Sequence, residues 1–275
     1  MGELLLSYRG ASGSLIPVEA DAITPDHLAG MDRPAIEKLT LHHGNQSVPL
    51  GELFAVRGDV CDTLRVEGDL GRVKGLGLGM KSGRLVIEGN AAMHVGAFMS
   101  GGTIEARGSV GDWAGAEMTG GLLLVRGDAG NRVGGAYRGS KHGMRGGVIL
   151  VEGRAGHEAG GYMRRGLIAV RGDVGDFTGA RMSAGTILLL GSAGIRTGGG
   201  MKRGTIVCRR PVELLPTFRA GGSIRPLFLR IILRALEARG FVAGAALGAP
   251  SFSFTRHLGD LAELGKGEIL VAREA

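Results

Sequence analysis

The sequence predicts an all-β protein. It reads as a right-handed single-stranded parallel β-helix of about seven 19-residue coils over residues 51–211, with an N-terminal capping segment over 1–50 and a C-terminal helix and strand over 212–275. Three observations carry this. Gly makes up 53 of 275 residues while 44% of residues are apolar, so the glycines serve geometry in a packed fold rather than disorder. One unit recurs from Leu64 to Cys208, its first glycine at 68, 89, 108, 127, 153, 172 and 191, and four of the six spacings are 19. Seven of the ten methionines (Met80, Met99, Met118, Met144, Met163, Met182 and Met201) occupy one position of that unit.

Each unit is an apolar run, a charged residue and Gly, then further glycines that bracket the Met, as in Thr103 to Gly121. Leu64, Leu85, Ile104, Leu123, Ile149, Ile168, Ile187 and Ile206 form one column. Val66, Ile87, Ala106, Val125, Val151, Val170, Leu189 and Cys208 form another two residues on, so both point to the same side of a strand. A unit this short cannot bury its own apolar face, and neighbours must stack. With one short strand per unit and no helix-length segment, the solution is a coil. Seven such turns at about 4.8 Å give a rod of roughly 35 Å. Glycines at the corners supply positive φ, Met fills the irregular interior, and parallel crossovers set the right hand. Six-residue left-handed repeats, calcium-binding nonapeptides and leucine-rich repeats do not fit the period or residue pattern.

The ends need covers, because an open stack leaves unpaired strands. Residues 1–50 cover the first coil, with a short helix near Arg33–Leu39 started at Pro34, and Leu53–Arg57 reads as a strand leading into the rod. Pro211 stops the repeat. Pro226 to Gly240 reads as a helix, Pro at its start and Gly at its end. Arg230, Arg234 and Glu237 share one of its faces, and the apolar remainder should be well buried. Gly267–Val271 reads as a final strand.

Net charge is +7, carried by Arg, since only six of 33 basic residues are Lys. The excess points to an anionic partner without choosing among nucleic acid, an acidic protein and a polyanionic ligand. Cys61 and Cys208 form no CxxC pair, so zinc and iron–sulfur sites lack a ligand set. The start of the chain lacks a basic segment followed by an apolar core, and no apolar run approaches a membrane span, which predicts a cytoplasmic protein without membrane contact. None of the seven histidines forms HxH or HExxH, and His42 and His43, adjacent on a strand, would point to opposite faces. Asp69, Asn90, Ser109, Asp128, Asp173 and Ser192 share the position after the first Gly, which reads as turn chemistry with nearby backbone amides. Gly75–Gly79 loosely resembles a phosphate-cradling loop but lies within a coil. No catalytic residue and no metal site is expected.

Two features rise above this background. A seven-residue insertion carries Lys141 and His142, beside Arg138 and Arg145, on a loop leaving the rod. Basic residues also follow the Met column, namely Lys81, Arg145, Arg164, Arg165, Lys202 and Arg203, and stacking lines several along one edge. Arg107 and Arg126 become vertical neighbours and should repel. The expected occupant of the edge is an acidic partner surface or a polyanionic ligand.

The ordered set of motifs resembles a known family. The supporting segments are Ile36–Leu41, Gly44-Asn45, Leu50–Gly58, the insertion ending Gly143–Gly147, and the tail Arg256–Val271. With the repeat they resemble the C subunit of formylmethanofuran dehydrogenase, and more distantly the glycine-rich domain of glutamate synthase. The resemblance implies a β-helix subunit in a multi-subunit enzyme. In the dehydrogenase, a molybdenum or tungsten pterin and iron–sulfur clusters sit on other subunits. In the bacterial formyltransferase/hydrolase complex, formyl passes from formyltetrahydromethanopterin to a methanofuran-type carrier and leaves as formate. The Arg-rich, Lys-poor composition favours the bacterial version. The partners implied are amidohydrolase-like and formyltransferase subunits, with no cofactor on this chain, and the glutamyl tails of such carriers suit a basic edge. The alternatives are a C subunit of the dehydrogenase, a free-standing glutamate-synthase-like domain and an independent binding module.

Overall fold

The computed structural model describes residues 3–10, 15–59, 62–244, 247 and 253–273. The chain opens with β1 (Leu4–Tyr8), β2 (Val18–Glu19), α1 (Pro25–Leu28), α2 (Arg33–Glu37), β3 (Thr40–His43), β4 (Gln46–Pro49), α3 (Leu50–Leu53) and β5 (Phe54–Arg57). The repeats supply β6 (Thr63–Glu67), β7 (Val73–Lys74), β8 (Arg84–Ile87), β9 (Thr103–Ala106), β10 (Leu122–Val125), β11 (Arg145–Val151), β12 (Arg165–Val170), β13 (Thr186–Leu189) and β14 (Arg203–Cys208). Beyond them lie β15 (Arg219–Ile224), α4 (Leu227–Glu237), β16 (Phe254–Gly259) and β17 (Lys266–Ala272).

The protein is mostly strands, as the sequence predicts. A 13-stranded sheet runs in the order β15-β16-β17-β14-β13-β12-β11-β10-β9-β8-β6-β1-β5. Its register from β6 to β14 is that of the repeat: Leu64 pairs with Leu85, then Ile104, Leu123, Ile149, Ile168, Ile187 and Ile206, all parallel. A second line of parallel bridges links Leu70, Ala91, Val110, Ala129, Ala155, Val174 and Ala193. Each unit is thus bonded to the next along more than one side. The seven methionines of the column are all fully buried in one continuous core with the two apolar columns, whereas Met93, outside the column, is 38% exposed.

The glycines divide into two kinds. Gly96, Gly115, Gly134, Gly160, Gly179 and Gly198 hold positive φ between 62° and 74°, as the corners require. Gly172 has no such φ. A Cβ there would sit 2.6 Å from the carbonyl oxygen of Gly153 and 2.7 Å from its carbon. This glycine exists because two backbones approach closely, a steric reason that positive φ alone does not cover.

The ends differ from the sequence expectation in one respect. Leu53–Arg57 does not lead into the ladder. Strand β5 lies at the sheet edge, antiparallel to β1, and it is β1 that stacks parallel on β6. The alternation of Leu4 and Leu6, both buried, matches Leu64 and Val66 and takes the place below the first repeat. At the far end β17 pairs parallel with β14, so Ile269 and Val271 extend the columns, and β16 and β15 then add antiparallel. Both ends of the ladder therefore finish on reversed strands. Helix α2 starts where expected, with the Asp32 side chain accepting from the Ala35 N–H at 2.9 Å.

Helix α4 packs on the outer face of the sheet. Leu229, Leu233 and Leu236 meet Leu124, Leu150, Ala169, Leu188, Val207 and Leu270, the strand positions between the two inward columns. In the first units the same outward position holds Arg65 and Glu105, which form ion pairs with Glu3 and Arg126. Val86, in register between Arg65 and Glu105, is apolar and buried, and the outward position becomes uniformly apolar from Leu124 onward, where the helix covers it. The expectation that the apolar part of α4 is well buried holds for one face alone. Leu227 and Ile231 are 71% and 73% exposed, because a helix lying on a flat sheet turns only one stripe toward it.

Candidate functional site

The shared position after the first glycine is not local turn chemistry. The Ser109 N–H donates to Asn90 Oδ1 at 2.8 Å, the Asp128 N–H to Ser109 Oγ at 3.0 Å, the Arg154 N–H to Asp128 Oδ1 at 2.7 Å and the Ser192 N–H to Asp173 Oδ1 at 2.8 Å. Only Asp69 bonds locally, to the Gly71 N–H. A second line runs from Asp112 through Asn131, His157 and Asp176 to the Ile195 N–H. Apart from Asp69, these side chains reach the backbone of the next unit, where equivalent positions lie one strand spacing apart. These carboxylates are structural.

Two other columns carry the conformational strain. His94, Trp113, Arg132, Glu158, Phe177 and Arg196 occupy one repeat position, and Phe98, Glu117, Tyr162 and Arg181 another, all with φ between 54° and 68°. A non-glycine residue there costs about 1 kcal/mol. Gly200 adopts φ 71° in the second column, so the turn itself needs no side chain. Consecutive members pack as cation–ring pairs: Arg132 over Trp113 at 5.7 Å, Arg181 over Tyr162 at 5.5 Å and Arg196 over Phe177 at 5.5 Å. Arg132 also pairs with Glu158 at 3.0 Å, and Arg181 donates to the Tyr162 hydroxyl. The Trp113 indole N–H is buried with no acceptor among the described residues.

Between these columns and the insertion lies a cleft of about 400 Å³, walled by Arg132, Tyr137, Arg138, Tyr162, Phe177 and Arg181. The insertion does not simply leave the stack. Tyr137 folds back across two units, its hydroxyl 2.8 Å from His94 Nδ1 and its N–H donating to Glu117 at 3.1 Å, with its ring stacked on Phe98 at 5.2 Å and Trp113 at 6.0 Å. Burial pushes the Tyr137 hydroxyl pKa up to about 12, and Glu117 adds to the shift. Tyr137 thereby clamps the loop.

The predicted basic residues separate into groups. Arg138 walls the cleft. Lys141 and His142 are exposed on the loop without lining it. Arg145 and Arg165 are in register on β11 and β12, with Arg164 beside them, all exposed. Lys81 is cut off from this cluster by Ser100 and Thr119, and Lys202 and Arg203 by Ser183 and Ala184, so the edge is no continuous stripe. Lys202 lies 3.7 Å from Glu263, and Arg203 is in register with Lys266. The expected repulsion of Arg107 and Arg126 is relieved within the chain: Arg107 pairs with Glu88 at 2.8 Å and Arg126 with Glu105 at 3.2 Å. His42 and His43 do not converge, and Leu76 of the Gly75–Gly79 segment is fully buried in the core, which makes that segment a corner rather than a phosphate loop. Cys208 is buried and its thiol pKa is raised by desolvation to about 12, while Cys61 lies outside the described residues. Among the described residues no three His, Cys, Asp or Glu side chains could hold a metal, and no helix is long and apolar enough to cross a membrane.

His94 makes the site pH-sensitive. Burial pushes its pKa below 6.5 and Lys74 adds to this, outweighing Asp21, Asp112 and Glu19. The unfolded chain then takes up a proton before the folded one. Stability attributable to His94 is full above pH 6.5 and declines as pH falls from there toward the folded pKa. His94→Gln should lose less stability than wild type between pH 7.5 and 5.5 in denaturant titrations. A ring-proton NMR midpoint at or above 6.5 would contradict this account.

A stack of parallel repeats that carries columns of aromatic and arginine side chains defines a protein of the stacked-repeat class. Comparison with known proteins agrees with that class. No family model matches. The chain is 35% identical to a chain in the crystal structure of the formyltransferase/hydrolase complex (FhcABCD) from Methylorubrum extorquens in complex with methylofuran, with a TM-score of 0.90 over 98% of this chain and 100% of that one. It is 47% identical over 100 residues to the C subunit of molybdenum-containing formylmethanofuran dehydrogenase 1 from Methanosarcina barkeri, covering 34% of this chain and 33% of the relative. It is 43% identical over 83 residues to the corresponding C subunit from Methanothermobacter thermautotrophicus, spanning 30% of this chain and 21% of the relative's length. The chain belongs to the family of formylmethanofuran dehydrogenase C subunits.

Proposed function

We propose that this chain is the C subunit of a formyltransferase/hydrolase complex that takes formyl from formyltetrahydromethanopterin through a methanofuran-type carrier to formate, and that its own part is architectural and non-catalytic. Its partners are the amidohydrolase-like and formyltransferase subunits, in the cytoplasm. The stacked units form a right-handed parallel β-helix of about seven coils, which gives those partners a rigid support. The single observation behind this reading is the end-to-end match to a chain of the Methylorubrum complex, against matches to dehydrogenase subunits that cover about a third of this chain. The carboxylates engaged in inter-unit bonds support an architectural role, since they are occupied in holding the stack. The higher local identity to the dehydrogenase subunits favours the second reading, the C subunit of a molybdenum or tungsten enzyme.

The cluster of Arg145, Arg164 and Arg165 is the proposed contact for the carrier's anionic tail. Affinity purification of the native complex, with identification of its subunits and metals, separates the two complexes: formyltransferase and hydrolase subunits support the first, a metal-pterin subunit the second. In the purified complex, Arg164→Glu with Arg165→Glu should weaken carrier binding about tenfold or more and flatten its salt dependence. Unchanged affinity and salt dependence would remove the carrier from this edge.

A further inference from the structure

We infer that the two left-handed columns form a docking face for an acidic segment of a partner subunit, separate from the Arg145–Arg165 cluster. This rests on reading the chain as a subunit of a complex. The starting observation is conformational. Ten non-glycine residues hold φ between 54° and 68° where Gly200 shows that glycine fits. Strain of this kind persists where the side chains serve a purpose beyond the fold. These side chains contribute little to the core: Phe98 is 44% exposed and Phe177 36%. Their chemistry is that of interface anchors, rich in Trp, Tyr, Phe and Arg.

The charge pattern selects the partner. Arg132, Arg181 and Arg196 each lie on the ring of the residue one unit below, which fixes the guanidinium plane while leaving N–H edges free. A guanidinium held this way meets a carboxylate in a fork-to-fork pair with little further loss of freedom. Arg132 already spends one edge on Glu158, and this pair sets the pattern. Arg196 and Arg138 have no carboxylate partner among the described residues, and Arg181 donates only to a neutral hydroxyl. The cleft beside them is walled by three arginines against one glutamate, with tyrosine and phenylalanine between. The surface fits a strand or loop that presents Asp or Glu side chains next to apolar ones.

Two substitutions in the full chain, each coexpressed with the other subunits, test this. Phe177→Gly relieves the backbone at that position, so the isolated chain should melt no lower than wild type. Its affinity for the remaining complex, read by sedimentation or pull-down titration, should still fall about 30-fold. Arg181→Glu with Arg196→Glu should fall at least as far, with an unchanged circular dichroism spectrum and with carrier affinity of any assembled complex retained. A merely structural role predicts the opposite pairing, lower melting with intact assembly, and that result overturns the inference. Intact assembly with lost carrier binding also overturns it, by assigning the face to the carrier. Wild-type chain that does not associate with formyltransferase subunits would remove the functional reading itself. Wild-type assembly matched by both variants removes only the docking face.

Discussion

Alanine at Gly172 is expected to destabilise the protein by about 3 kcal/mol, a large loss for one methyl group. Gly172 does not hold a positive φ, so the left-handed backbone is not the issue. The added Cβ would stand 2.6 Å from the Gly153 carbonyl oxygen, and that atom belongs to the backbone of the preceding unit, which is pinned by its own ladder. The Gly172 N–H also donates to the same carbonyl at 2.9 Å, so moving the units apart breaks a bond along with the packing. A denaturant titration reads the effect directly. A loss below about 0.5 kcal/mol would mean the column tolerates side chains and that the units slide to admit them. The control is Gly139, whose added Cβ would meet nothing within 4 Å; its φ of +87° makes any loss there a matter of backbone conformation alone.

Met163→Ala should lower stability by about 2–5 kcal/mol. Met163 is fully buried, and its Cε lies 2.8 Å from where a Cβ on Gly185 would be, so it fills space against the next unit as well as its own. Truncation opens a void between two units, and a stack with fixed strand spacing has little room to close it. Met93→Ala, at a side chain outside the column and 38% exposed, should change stability by less than about 0.5 kcal/mol. Equal losses at the two positions would show that the column is not what holds the units together.

The fold is legible because its period is visible in residue types. The Met column and the two apolar columns repeat the same few residues, and the strand register follows them position by position. Helix α4 and β17 are also readable, from Pro226 and from the apolar run ending at Val271. The placement of β1 is not, since Leu4 and Leu6 precede the repeats and nothing in their spacing says which neighbour they join. The pairing of Arg107 and Arg126 with Glu88 and Glu105 does not show in any single column, because the ion pairs run diagonally between two. The two left-handed columns are hidden for a different reason. Their side chains change from His to Trp, Arg, Glu and Phe, so no single residue type runs through a column, and the only signal is a variable position held at constant distance from the regular glycine spacing. A repeat reveals what is kept the same in every unit. A surface that meets a partner differs from unit to unit and drops out of the pattern.

The pairing of β17 with β14 bears on how the molecule is made. As the polypeptide emerges from the ribosome, each finished unit offers an open edge that the following unit covers almost at once, so growth is nearly local and vectorial. The exception is β14. Its free edge waits through β15, α4 and β16 until residues 266–272 have been synthesised and can fold back onto it. During that interval the nascent chain carries a bare parallel edge, the state most open to capture by another nascent chain, and the step at which a folding helper has the most to protect.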